Sequence, residues 1–142
     1  MEVRSQRSES GRGVCLELRV PAVPSVVSEV RQALAEFPMP AALADDARLL
    51  VSELVTNSIR HAGLHPDDRI RVRAEWTGTR LRVDVIDRAR VAESPVVGAI
   101  RPAPGAESGW GLYLLERLAT RWGNGRGRYW FELDCEAGRR SS

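Results

Sequence analysis

From Ala41 to Ala62 the chain runs without a glycine or a proline, and Leu43, Ala47, Leu50, Val51, Leu54, Val55 and Ala62 recur along it at helical spacing. That pattern predicts a central helix of about 33 Å with one broad apolar face, ended by Gly63 as a C-terminal cap. The segments around it read as strands and shorter helices. Gly13 to Val20 alternates from Cys15 onward and is stopped by Pro21 and Pro24. A first helix follows, with Ser25 as its cap and Val26, Val27, Val30, Ala33, Leu34 and Phe37 at helical spacing until Pro38 and Pro40 interrupt.

Beyond the central helix, Arg69 to Trp76 and Leu81 to Ile86 alternate at period two about the turn Thr77-Gly78-Thr79, which predicts a hairpin. Leu112, Leu115, Leu118, Ala119 and Trp122 trace a last helical stripe that Gly123 ends, and Arg128 to Leu133 closes as a strand. The sum is an α/β two-layer sandwich, a mixed, mostly antiparallel sheet with helices on one face. Residues 1–12 are expected as a flexible tail, 13–135 as one domain containing a linker-like segment over 88–108, and 136–142 as a second tail.

Composition narrows the classes. At 142 residues, 43% hydrophobic and 28% charged, the chain has the size and makeup of one soluble domain, and no apolar run approaches a membrane span. The charged opening Met1 to Arg7 lacks the apolar stretch of a secretory signal, so a cytoplasmic protein is expected. All 21 basic residues are arginine, but 19 acidic residues nearly cancel them and the arginines are scattered, which argues against direct nucleic-acid binding. Cys15 and Cys135 have no partner at zinc-ligand spacing and read as reduced, buried thiols.

Three features carry possible chemistry. Glu53, Asn57 and His61 stand at i, i+4 and i+8, one stripe along the edge of the central helix's apolar face. An amide and a carboxylate one turn apart can divide the work of a nucleotide site, the amide oxygen ligating magnesium and the carboxylate taking a proton from a nucleophile. The same stripe is also the ordinary polar margin of an amphipathic helix. Second, Glu107-Ser108-Gly109-Trp110-Gly111-Leu112 opens a helix. Paired glycines there let a backbone approach an anion, although glycines can simply turn a loop. Third, Asp87 ends a strand, where a carboxylate can accept from the exocyclic amine of a purine or merely terminate the strand.

Together these segments resemble a family. Ser52-Glu53-Leu54-Val55-Thr56-Asn57-Ser58-Ile59-Arg60-His61-Ala62 resembles the N box of the ATPase superfamily that includes gyrase, histidine kinases and MutL. Asp87 falls where its G1 aspartate would be, and Gly109-Trp110-Gly111-Leu112 resembles its G2 box. The chain order agrees over roughly residues 14–134. Within that superfamily the short form ending in Trp122-Gly123 and Tyr129-Trp130-Phe131-Glu132-Leu133 looks like the bacterial anti-sigma-factor serine/threonine kinases.

The resemblance implies the histidine-kinase-like ATPase fold, with ATP and Mg²⁺ as ligands. Asn57 would coordinate the metal, Glu53 would be the general base, and Asp87 would meet the adenine amine. Gly109 and Gly111 would line the triphosphate, with Trp110, Leu112 and His61 alongside, under an ATP lid over 88–108. The implied reaction phosphorylates an antagonist protein, with a sigma factor as the competing partner and a homodimer as the suggested assembly. A second reading is a binding module that keeps the nucleotide fold and sequesters a regulatory partner without phosphotransfer. The chain departs from the G1 pattern at Ala89, where glycine is expected. A positive φ there would strain alanine by ~1–2 kcal/mol, roughly a tenfold loss of affinity.

Overall fold

The computed structural model describes residues 2–7, 13–61, 68–87, 110–125 and 127–135. Within them, strands β1 (Glu2–Arg7) and β2 (Val14–Pro21) precede helices α1 (Val26–Leu34) and α2 (Ala41–His61). The hairpin β3 (Arg69–Trp76) and β4 (Arg80–Asp87) follows, then α3 (Trp110–Leu118), β5 (Arg121–Gly125) and β6 (Arg128–Asp134). The six strands form one sheet in the order β1-β2-β3-β4-β6-β5. Every described pairing is antiparallel, where a mixed sheet was the expectation.

The period-two pattern is realised in the burial. Leu16, Leu18 and Val20 of β2, Ile70, Val72, Ala74 and Trp76 of β3, Leu81, Val83 and Val85 of β4, and Tyr129, Phe131 and Leu133 of β6 are buried on one face. Onto that face the helices lay Val26, Val30 and Leu34 of α1, Leu43, Ala47, Leu50, Val51, Leu54 and Val55 of α2, and Leu115 of α3. Burying one such leucine or valine contributes roughly 1.5–3 kcal/mol, so the core sits between the helix layer and the sheet, as the sequence pattern requires.

Local chemistry sets the ends of the elements. Pro40 cannot extend the chain backward as helix, and its carbonyl accepts from the Ala44 N–H at 3.0 Å, which starts α2 at Ala41. Ser25 holds the N-cap position of α1, but its side chain makes no cap hydrogen bond. At the hairpin, Gly78 takes φ +101° and the Thr77 hydroxyl oxygen accepts from the Arg80 N–H at 3.1 Å, which closes the turn.

Two expectations are corrected at the chain's ends. Glu2–Arg7, expected as part of a loose tail, pairs as β1 along the whole of β2, from Glu2 opposite Arg19 to Arg7 opposite Val14. The segment carries almost no apolar alternation, so backbone bonding to an open sheet edge makes it a strand and no periodicity announces it. The last helical stripe ends at Leu118, not at Trp122. Trp122 lies in β5, opposite Phe131, and Gly123 pairs with Trp130. Its position four residues after Leu118 matches a helical period by coincidence, while Thr120, whose N–H donates to the Glu132 carbonyl at 2.8 Å, has already joined the chain to the sheet.

The other face of the sheet carries a lattice of charge. Arg82 donates to Asp84 at 3.0 Å and to Glu132 at 3.3 Å, Arg121 to Glu132 and Asp134 at 2.6 Å each, Arg80 to Asp134 at 2.9 Å and Arg71 to Glu17 at 2.6 Å. Cys15 and Cys135 are free thiols, half-buried where full burial was expected. Among the described residues, no helix is long and apolar enough to cross a membrane.

Candidate functional site

The site is built from the end of the layer where α2 finishes and β4 finishes. From α2 the chain passes to β3 in the few residues between His61 and Arg69, and Ile70 at the start of β3 is opposite Asp87 at the end of β4. The C-terminal turns of α2 and the last residue of β4 therefore lie at the same end of the fold.

Glu53 and Asn57 are both half-buried, one turn apart on the flank of α2 beside its buried stripe. Burial pushes the Glu53 carboxyl above its ordinary value of 4.5, and the Arg60 charge opposes that push without cancelling it. A carboxylate so placed binds a proton more readily than one in water, which suits a general base. Asn57 brings a neutral amide oxygen to the same flank, a donor for a hard cation that adds no repulsion with Glu53.

His61 is the last residue of α2, and its side chain lies outside the described residues, as does that of Trp110. Trp110 and Gly111 begin α3, so the first N–H groups of that helix have no partner within it. Leu112 is half-buried against the core. Gly109, Ala89 and the whole of the expected lid over 88–108 lie outside the described residues.

Asp87 occupies an inward-facing position at the end of β4, 1% exposed, following Leu81, Val83 and Val85 on the same face. Its backbone N–H donates to the Gly127 carbonyl at 2.7 Å, which fixes the strand end against the β5–β6 turn. Ser58 was missed by the sequence reading. It is fully buried, and its hydroxyl has no hydrogen-bond partner. The signal that finds it is positional: Val51, Leu54, Val55 and Ser58 form one stripe, and Ser58 is its polar end.

A nucleotide and its metal belong to the chemistry this donor set suits, and the fit can be examined on the residues. The Ser58 hydroxyl, buried without a partner at one end of an otherwise apolar layer, costs stability unless something polar meets it, and a purine edge is such a partner. Among the described residues, no group of three or more His, Cys, Asp or Glu side chains could cage a metal. A magnesium ion held at Asn57 would take its remaining ligands from phosphate and water, the usual arrangement for that ion.

The model of the histidine kinase-like ATPase domain matches residues 16–126. A crystal structure of the RsbU and RsbW domains of Rv1364c from Mycobacterium tuberculosis superposes with a TM-score of 0.59 at 24% identity. The match covers 86% of this chain but 32% of that one, and at that identity the likeness is one of fold. No curated protein matches the sequence significantly. With most of its length matched, the chain belongs to the histidine kinase-like ATPase domain family.

Proposed function

We propose that the chain binds ATP with magnesium and transfers the γ-phosphoryl group to a serine or threonine hydroxyl of an antagonist protein, acting as an anti-sigma factor in the cytoplasm. The observation that carries the reading is the Glu53–Asn57 pair, half-buried and one turn apart, with the carboxyl made more basic by burial. Glu53 accepts the proton of the attacking hydroxyl. The hydroxyl oxygen forms its bond to the γ-phosphorus as the bond to the β–γ bridging oxygen breaks, and ADP leaves.

Asn57 holds the magnesium ion, which supplies neutralisation of the phosphate charge when bound. The glycine pair Gly109 and Gly111 and the N-terminus of α3 receive the phosphates, with Trp110, Leu112 and His61 alongside and the 88–108 segment as the lid. Asp87 accepts from the adenine amine. A sigma factor competes with the antagonist for the chain, and a homodimer is the working assembly. The family match supports the ATP half of this reading, and the resemblance of the N and G2 boxes supports the kinase half.

The test is transfer of label from γ-labelled ATP to serine or threonine of a protein that co-purifies with the chain from its native cells, with Glu53→Gln as control. Transfer by the wild type and not by the variant supports the kinase. Binding of ATP and of the partner without transfer in either protein gives the sequestering module instead.

A further inference from the structure

On the sheet face away from the helices, the register sets the outward side chains in rows across the strands. Glu17, Arg73, Asp84 and Trp130 stand side by side on β2, β3, β4 and β6, and Glu75, Arg82, Glu132 and Arg121 on β3, β4, β6 and β5. In both rows neighbouring charges alternate in sign, the favourable cross-strand arrangement. The next row toward the end of β4 breaks that rule. Arg19 stands directly opposite Arg71, Ile86 follows, and Arg128 comes after it, with no carboxylate in the row among the described side chains. Like charges directly opposite each other cost stability unless an anion meets them. Arg71 donates to Glu17 at 2.6 Å and Arg128 to Asp84 at 2.5 Å, both in the row behind, where Asp84 already holds Arg82. A groove of about 300 Å³ lined by Arg73, Glu75, Arg82, Asp84 and Arg128 opens beside the row.

We propose that this row, Arg19, Arg71 and Arg128 about Ile86, docks an acidic segment of a partner protein, its carboxylates on the arginines and one apolar side chain on the half-buried Ile86. The docking surface is separate from the nucleotide site and does not depend on the ATP reading. The row crosses four strands, roughly 14 Å, the reach of about four extended residues. Arg71 and Arg128 are each tied to a carboxylate behind them yet are 42% and 47% exposed, and a guanidinium carries five N–H donors, which leaves donors for a second carboxylate. The ties also reduce the side-chain entropy lost when a segment docks. Charge selects the occupant. A second copy of the chain brings the same cationic row with it, and like charges brought together oppose association. A nucleic acid lays down phosphates continuously, and Glu17, Glu75, Asp84 and Glu132 in the rows behind repel those that extend past the first row. A short acidic segment meets the row without reaching them.

The experiment measures, by fluorescence anisotropy, binding of the full chain to a short labelled peptide of glutamates about a central leucine, and to the same peptide with glutamine for glutamate. Competition by oligothymidylate, sedimentation of the chain alone and thermal unfolding of every protein are measured alongside. The expected result is saturable binding of the glutamate peptide, about tenfold tighter than the glutamine peptide and weakened by salt. Arg71→Gln combined with Arg128→Gln loses about tenfold. Arg19→Glu loses a similar factor and unfolds no earlier than the wild type, because it replaces a like-charge pair on an exposed position with an opposite one. Arg121→Gln, in an alternating row of the same face, binds within about twofold of the wild type. Equal binding of the two peptides, no binding of either, or wild-type affinity retained in Arg19→Glu overturns the proposal. Displacement by oligothymidylate at lower concentration than by unlabelled glutamate peptide assigns the row to nucleic acid, and a dimer that Arg19→Glu dissociates assigns it to a second copy. Either result overturns the proposal as well.

Discussion

The guanidinium carbon of Arg82 lies 4.4 Å from the centroid of the Trp130 ring, on the face of the sheet away from the helices. The same indole covers Gly123 on the neighbouring strand, where a Cβ would stand 2.6 Å from Nε1 and 2.8 Å from Cε2. Gly123→Ala therefore has to displace the ring and the cation stacked on it. Its expected cost is about 1–3 kcal/mol, with Gly125→Ala, whose Cβ meets nothing within 4 Å, staying within about 0.5 kcal/mol of wild type. Urea unfolding midpoints of the two variants check the contrast, and equal midpoints would contradict the packing.

The charged lattice on that face predicts the acid limb of stability. Burial raises the Glu132 carboxyl, but hydrogen bonds from Arg121 and Arg82 outweigh it and hold the group below 4.5. Asp134 is held below 3.8 by Arg121, against the opposing effect of burial and with help from Arg80, and Glu17 is held below 4.5 chiefly by Arg71. For carboxyls whose folded pKa lies below the unfolded one, the stabilisation is present above the unfolded value and is lost as pH falls through the folded value. Unfolding midpoints should hold steady near neutrality and drop between about pH 5 and pH 2. Arg121→Gln should flatten that drop, because it removes a partner shared by Glu132 and Asp134.

Glu53 has the opposite sign. Its carboxyl is raised by burial, so ionisation at neutral pH works against folding, and Glu53→Gln should raise the unfolding midpoint slightly while abolishing phosphotransfer and sparing ATP affinity. In the wild type, transfer should fall as pH drops through a value above 4.5, where the base takes up its proton. A variant that transfers at the wild-type rate would place the base elsewhere.

Asn57→Ala should remove the magnesium dependence of nucleotide binding, since alanine offers no oxygen to the cation. The check is ATP affinity measured with magnesium and with EDTA. The expected outcome is a marked difference for the wild type and none for the variant, while unfolding of the empty protein changes little because Asn57 is only half-buried.

The layer structure was legible because burial imposes periodicity. Leu50, Val51, Leu54 and Val55 announce α2, and Ile70, Val72, Ala74 and Trp76 announce β3, from spacing alone. β1 was illegible because its pairing is made by backbone groups, which leave no trace in side-chain order. β5 was misread because Trp122 follows Leu118 at a helical interval while hydrogen bonding from Thr120 onward runs to β6. In the site, Glu53, Asn57 and Asp87 were marked by residue type and position. Ser58 was not, since a serine among valines and leucines reads as a tolerated small residue until burial and hydrogen bonding show that its hydroxyl is unmatched.

The central claim is that this end of the layer takes ATP with magnesium, and titration calorimetry of the full chain with MgATP tests it most directly. The account predicts saturable heat with one site per chain, strongly reduced by EDTA. No heat at millimolar MgATP would contradict it.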